Sequence, residues 1–421
     1  MFSQLPKRSR ALSAIYLVLL GLYAFFSYGL TAPNLILINA NWFLAFQNRM
    51  WTEFFNQRDF LAVFYLVSIL ILFITYLLLV RSLPKDKKIN PKQQFILILF
   101  FSLPLLISYN SLSFDVFNYI FNSRMVLDYQ ANPHVRTAIE FSQFDDWTRF
   151  MHNIHTPAPY GYGWTVLSLI PYLAGFGKFL VTWLNFRVLS IVSLVFSSFA
   201  VNKLNQSLYN KNLSLKRWLM LFLNPLVLIE VVSNSHNDLW MMFPAIYALI
   251  FLLEAVKNQK QRKIFLCFVA WLMFFLSVSI KFATLALLPI MILLTIFALN
   301  SFAKKSKIKI LFKMTRQFIK NNLPLISSVL MFLPLFTSRS QRFHPWYLLW
   351  PLIWLPLIKN KVYVTLLLVF SFTSLVRYYP WLKMNDYSQQ ILVTQRYITW
   401  SAIAITMILT GLSSIRKKVN A

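Results

Sequence analysis

Long apolar runs separated by short polar or basic connections recur along the whole chain. They fall at about residues 11–30, 60–80, 94–109, 186–202, 218–233, 238–256, 264–281, 283–300, 321–337, 346–358, 362–377 and 391–414. Most approach the roughly 20 residues that a helix needs to cross a bilayer core. The pattern predicts an all-α polytopic transmembrane protein with about twelve crossings (11–13), residues 1–421 forming one integral membrane domain. The first run follows Lys7, Arg8 and Arg10 with no small-residue cleavage site behind it, and is expected to be a retained helix. Residues 164–183 are also apolar, but a full crossing there would reverse the side of everything that follows. They are expected to enter the membrane and return, or to pack at its interface.

Composition supports this: 58% of residues are hydrophobic and 13% charged, against about 25% charged in ordinary globular domains. The formal charge of +29 would suggest nucleic acid in a soluble chain, so its placement decides its meaning. With the N-terminus inside and sides alternating, the inside segments are Lys7–Arg10, Arg81–Lys92, Lys203–Arg217, Lys257–Lys263, Lys304–Lys320, Lys359 with Lys361, and Arg416–Lys418. They hold 28 basic residues against Asp86 and Glu254, whereas the outer segments hold ten basic and ten acidic residues. That is the positive-inside bias of a multi-pass cell-membrane protein with both termini cytoplasmic, not a nucleic-acid footprint. Lys178, Arg187 and Lys281 remain, in or beside apolar stretches.

All five histidines and ten of the twelve acids then lie on the outer side, which is where chemistry is expected. The outer loop 110–163 carries Asp115, Asp128, Glu140, Asp145, Asp146, His134, His152 and His155, and is the expected catalytic loop. At its start Asp115, Asn118, Tyr119 and Asn122 share one helical face, and Phe114, Phe117 and Phe121 another. This predicts an amphipathic juxtamembrane helix on the outer surface; the competing reading is a solvated helix that Asp115 merely caps.

Three further constellations lie on the same side. Glu230 sits at the outer end of a span that contains Asn224-Pro225, and is followed by Ser233-Asn-Ser-His236-Asn237-Asp238. A carboxylate at membrane depth is costly without a partner or cavity, although the polar cluster also suits a turn that caps the next helix. Lys281 lies between two apolar runs, where it either snorkels or meets an anion. Arg339, Arg342 and His344 precede Pro345-Trp346-Tyr347, a mixture of interfacial belt and anion site; Arg377 to Arg396 adds cations later. No HExxH, GxSxG, phosphate loop or GxGxxG is present, Cys267 is the lone cysteine, and the seven glycines leave little for Gly-rich loops. Asp145-Asp146 is a minimal acidic pair, and neither a metal site nor a cofactor is expected, with divalent-metal dependence left open.

The ordered set resembles a known family. An Asp115-x-x-x-Tyr119 helix after an early span, Asn132-Pro133, Tyr160-Gly-Tyr-Gly-Trp164, Asn224-Pro225 to Glu230, His236-Asn-Asp238, Lys281 and His344-Pro-Trp-Tyr347 look like the GT-C glycosyltransferases. Among these they look most like the bacterial polyprenol-phosphate-mannose-dependent mannosyltransferases and the related family 87 enzymes. Two elements depart from the family pattern: Asn132-Pro133-His134 where Asn-Pro-Tyr is common, and Tyr160-Gly161-Tyr162 where Tyr-Gly-Pro is common.

The resemblance implies an inverting transfer of a sugar, mannose first, from a polyprenyl-phosphate lipid to a glycan or lipid-linked acceptor at the outer face, beside membrane lipid. It implies Asp115 as catalytic base, and Lys281, Arg342 and His344 as donor-phosphate ligands. Tyr119, Glu230, His236, Asn237, Asp238, Trp164, Trp346 and Tyr347 would bind sugar or acceptor. The alternative class is a flippase or transporter of lipid-linked sugars, which predicts internal repeats and mid-depth polar sites; the chain shows no repeat.

Overall fold

The structure, a computed structural model, describes residues 6–31, 35–257, 260–299, 317–318, 321–337 and 343–419, with the side chains of 260, 261 and 411–419 left aside. The basic cluster Lys304–Lys320, apart from residues 317 and 318, and the pair Arg339 and Arg342 lie outside the described residues.

Among the described residues the chain is helical without strands. Eight helices are long and apolar enough to cross a membrane: Lys7–Leu30, Arg58–Ser82, Phe179–Tyr209, Asp238–Ala255, Arg262–Ile280, Phe282–Leu299, Lys361–Met384 and Gln389–Thr410. Pro91–Ile107 and Asn321–Phe336 are shorter apolar helices. The stretches of the two other expected crossings are broken into short helical pieces. Leu215–Phe222 stops before Asn224-Pro225 and resumes as a short helical turn that becomes a π-helix over Leu228–Ser233. Residues 345–358 form three short helical pieces, because Pro345, Pro351 and Pro356 remove donors at close intervals.

The break at Asn224-Pro225 is sealed by its neighbours. Proline cannot donate to the helical ladder, and the freed carbonyls are taken by Tyr16 and Tyr76, whose hydroxyls donate to Leu223 O (2.7 Å) and Met220 O (2.5 Å). Asn224 caps the resumed turn by accepting from the Leu226 amide at 2.9 Å, and its Nδ2 donates to Ser371 Oγ at 3.0 Å. This is how a membrane interior tolerates irregular backbone. Since lipid tails are as apolar as leucine, close approach and interhelical hydrogen bonds carry the packing. The Phe179–Tyr209 helix accordingly buries Ser190, Ser193, Ser197 and Ser198, and Ser198 Oγ accepts from Trp218 Nε1 and donates to Gln94, both at 2.7 Å.

Among the described residues, the basic segments at 7–10, 81–92, 203–217, Lys257 and Lys359 gather at one end of the bundle. Ser9 bonds to Ser82 O at 3.0 Å, Lys88 pairs with Ser214, Lys257 Nζ donates to Ser207 O at 2.9 Å, and Arg217 donates to Pro356 O at 3.2 Å. Lys359 sits 4.5 Å over the Tyr209 ring.

Residues 164–183 resolve into a 12-residue helix, Tyr162–Leu173, a turn with Gly177 at φ +70°, and the start of the 31-residue Phe179–Tyr209 helix. At about 18 Å the first piece is too short to cross. Gly161, just before it, bonds to Ile280 O and Tyr172 bonds to Asp128, so both its ends stay at the end opposite the basic clusters. It turns Val166, Ile170 and Leu173 outward.

Candidate active site

The end opposite the basic clusters assembles from segments far apart in sequence, and a buried cation holds two of them together. Arg187 is fully buried. Its Nη1 donates to Leu105 O, Ser108 Oγ and Val232 O at 2.9, 2.9 and 3.0 Å, and its Nη2 to Asn110 Oδ1 at 2.6 Å. Leu105 and Val232 lie near helix C-termini, where a cation is favoured. One guanidinium thereby ties the segment leading to Asp115 to the segment leading to His236.

The Asp115–Leu127 helix begins at the expected aspartate. It does not lie flat on a surface: Asn118 on its polar face and Phe117 and Phe121 on its apolar face are all buried, because loop 110–163 folds over it. Phe117 packs against Phe150 and Phe179, and Arg124 bridges to Asp145, with its guanidinium 4.1 Å from the Trp147 ring. Asp145, which also accepts from Tyr129, thus serves the loop's own packing. Among the described residues no group of three His, Cys, Asp or Glu side chains is arranged to hold a metal ion.

Asp115 faces three partners. The Tyr160 hydroxyl donates to its Oδ2 at 2.5 Å, and His236 Nδ1 stands 3.5 Å from the same oxygen. Lys281 lies beyond Tyr160, its Nζ 5.2 Å from that ring. Glycine places Tyr160 there: a Cβ on Gly161 would run into the Ser279 carbonyl, and one on Gly163 into the Ser279 side chain. The Tyr-Gly-Tyr-Gly-Trp motif therefore lies flat on the end of the Lys260–Ile280 helix.

Behind Asp115 the chain turns sharply. Ser235 adopts φ +60°, sending the His236 amide back to Glu230 O at 3.1 Å. The imidazole then spans two carboxylates, with Nε2 3.4 Å from Glu230 Oε2. Glu230 also accepts from Asn234 Nδ2 at 2.9 Å and from the Tyr378 hydroxyl at 3.0 Å. Burial works to push the Asp115 carboxyl up, but His236, Tyr160 and Lys281 outweigh it and hold it down at about 2. Burial likewise works to lower His236, yet Asp115 and Glu230 raise it to about 9.

Lys281 is already paired. Its Nζ is 2.7 Å from Asp238 Oδ1, the same oxygen accepts from Trp350 Nε1 at 2.5 Å, and the rings of Tyr160, Tyr347 and Trp350 surround the ammonium at 5.2–5.8 Å.

A cavity of about 590 Å³ opens on the other side of Asp115. Of the residues expected from sequence, Asp115, His344 and Trp346 line it. Glu230, His236, Asn237 and Asp238 are fully buried behind it, and Tyr119 and Trp164 pack edge to face beside Tyr160. Trp346 separates His236 from the cavity, stacked between His236 and His344 at 4.1 and 4.4 Å. Burial foremost, with help from Arg377, His236 and Lys281, pushes His344 down to about 4, so this imidazole is neutral near pH 7.

Two contributors were not singled out as site residues in the sequence. Tyr160 was visible only as part of the glycine motif. Arg377, buried and bonded to Thr399 at 3.2 Å, is the one lysine or arginine among the described residues that line the cavity. Its signal was weak because sequence placed it in a distant loop with other exposed cations.

The architecture is that of a multi-pass helical membrane protein whose chemistry-bearing groups converge on one end of the bundle around a carboxylate. The chain belongs to the MptA/B family: the alpha-(1->6)-mannopyranosyltransferase N-terminal domain matches residues 19–297. It is therefore a mannosyltransferase, with a sugar donor and an acceptor as substrates. No curated protein and no solved structure matches it.

Proposed function

We propose that this chain transfers mannose from a polyprenyl-phosphate donor to a glycan or lipid-linked acceptor at the outer face of the cell membrane, with inversion and in an α-(1→6) linkage. The observation that carries the reading is the cavity itself, in which Asp115 is the one carboxylate among the described lining residues and Arg377 the one strong cation. The basic clusters at the opposite end favour a cytoplasmic location there, which supports an outer cavity with loop 110–163 as catalytic loop.

The acceptor oxygen attacks the anomeric carbon while the bond from that carbon to the phosphate oxygen breaks. The electron pair leaves with the lipid phosphate, and the acceptor proton passes to an Asp115 oxygen. A phosphate leaving group needs no general acid, so one base suffices. Arg377 faces the departing phosphate, where a guanidinium offers a forked donor set, and His344 donates as a neutral imidazole. Arg342 lies next to this wall in sequence and is kept as a further phosphate ligand. Lys281, neutralised by Asp238, acts on the site through Tyr160. Trp346 shapes the sugar wall, backed by Tyr347, Tyr119, Trp164, Asn237 and Asp238.

The flippase alternative calls for a mid-depth polar passage, whereas the break at Asn224-Pro225 is filled by buried tyrosines. The test is Asp115→Asn in membranes supplied with polyprenyl-phosphate mannose. Turnover falls by about 10²-fold or more, the scale of a lost general base, while donor binding is retained; near-normal turnover would refute the base.

A further inference from the structure

Glu230 and His236 are placed wrongly for sugar contacts: both are fully buried, and Trp346 stands between His236 and the cavity. Their mutual geometry has a different use. The two ring nitrogens of His236 face one carboxylate each, at 3.5 and 3.4 Å, and among the described residues neither nitrogen has another hydrogen-bond partner. Glu230 is fixed in turn by Asn234 and Tyr378.

We propose that Glu230 and His236 form a charge-setting pair behind the base: Glu230 keeps the buried imidazole as imidazolium, and the imidazolium keeps Asp115 ionised while an anionic donor occupies the cavity. The inference rests on the reading of Asp115 as base. Its physical need is plain, because a lipid phosphate placed beside a carboxylate raises that carboxylate's proton affinity, and a protonated aspartate accepts no proton from the acceptor. An imidazolium between two carboxylates offsets the phosphate from a position that no substrate displaces. Trp346 adds to this, its ring face stacked on the cation.

Other charges around the pair are accounted for. Lys281 is taken up by Asp238, Tyr160 donates to Asp115, Tyr378 donates to Glu230, and Arg377, His344 and His152 line the cavity. The pair is thus the cationic link to Asp115 from behind. Both residues are positioning residues, acting through Asp115 without touching substrate.

The test is the pH profile of kcat, whose acid limb reports ionisation of the base in the substrate complex. In His236→Gln that limb moves up by about one to three pH units, the shift expected on losing an opposite charge at this range. Glu230→Gln moves it in the same direction by less. Because His344 and His152 also line the cavity, the profile is repeated in His344→Phe and in His152→Phe, where a residual turnover of a few per cent suffices. The shift caused by His236→Gln persists in both, and its disappearance in either would assign the limb to that histidine and overturn the proposal.

A lowered rate with an unmoved acid limb in both His236→Gln and Glu230→Gln also overturns it, since that is what loosened packing produces. If His236→Gln fails to reach the membrane, Glu230→Gln, which keeps the side chain's shape, decides alone. Failure of the base reading is distinguishable: Asp115→Asn would then retain turnover, whereas failure of the pair alone leaves Asp115→Asn inactive and the limbs unmoved.

Discussion

At the residue scale, the site depends on contacts that leave no freedom for substitution. Gly161 is the sharpest case, because a methyl there meets a backbone carbonyl rather than a movable side chain. Gly161→Ala is expected to cost about 1–3 kcal/mol, as overpacking does, and to move Tyr160 off Asp115; a lowered unfolding midpoint in detergent together with lost transfer is the outcome to look for. Arg377 makes the opposite kind of prediction. Removing a charged hydrogen-bond donor from a phosphate forfeits about 1.5–3 kcal/mol, so Arg377→Ala should weaken donor binding roughly 10- to 100-fold, and an unchanged donor affinity removes it from the phosphate site. The sequence singled out Asp115, His344 and Trp346 through the resemblance of their ordered motifs to a family, since residue type alone left a helix cap or an interfacial belt as competing readings. It could not tell that His236 is screened by Trp346 or that Lys281 is spent on Asp238, because both depend on which side chains from remote segments meet.

At the element scale, interruptions in the helices are as informative as the helices. The apolar run 218–233 reads as one crossing, but Pro225 divides it, and the π-helix that follows carries Glu230 inward. π-Turns of this kind insert an extra residue and re-aim side chains, which hydropathy does not register. The same holds for residues 345–358. Arg187 stood out in sequence as a cation inside an apolar run, yet its partners are two carbonyls near the ends of other elements together with Ser108 Oγ and Asn110 Oδ1. Arg187→Ala removes the charged donor that these acceptors share, although Leu105 O keeps the Ser108 amide and hydroxyl and Asn110 Oδ1 keeps Trp183 Nε1, so the loss is about 1–3 kcal/mol in all. A drop in thermal stability should accompany it, and lysine should not rescue it, since one ammonium cannot span the fork that guanidinium does. Retained stability in Arg187→Lys would show that charge alone is what the segment needs.

At the scale of the whole molecule, the assignment of sides is the open physical consequence. Basic connections distant in sequence are hydrogen-bonded to one another at one end of the bundle, and the cavity lies at the other. A tag or labelled cysteine at residue 210 is therefore expected to be inaccessible in intact cells and accessible after permeabilisation; labelling from outside would invert the bundle and the proposed face of the reaction.

Sequence by itself determined the membrane-spanning helical class and the segregation of basic connections from the other polar residues, because these follow from local hydropathy and charge summed over short windows. Tertiary structure alone decided which polar residues are substrate-facing and which are partners of one another. That choice depends on the approach of segments more than 100 residues apart, such as Asp115 with His236 or Asp238 with Trp350. In a low-dielectric interior each buried charge must find such a partner, and only the folded arrangement fixes which one it finds.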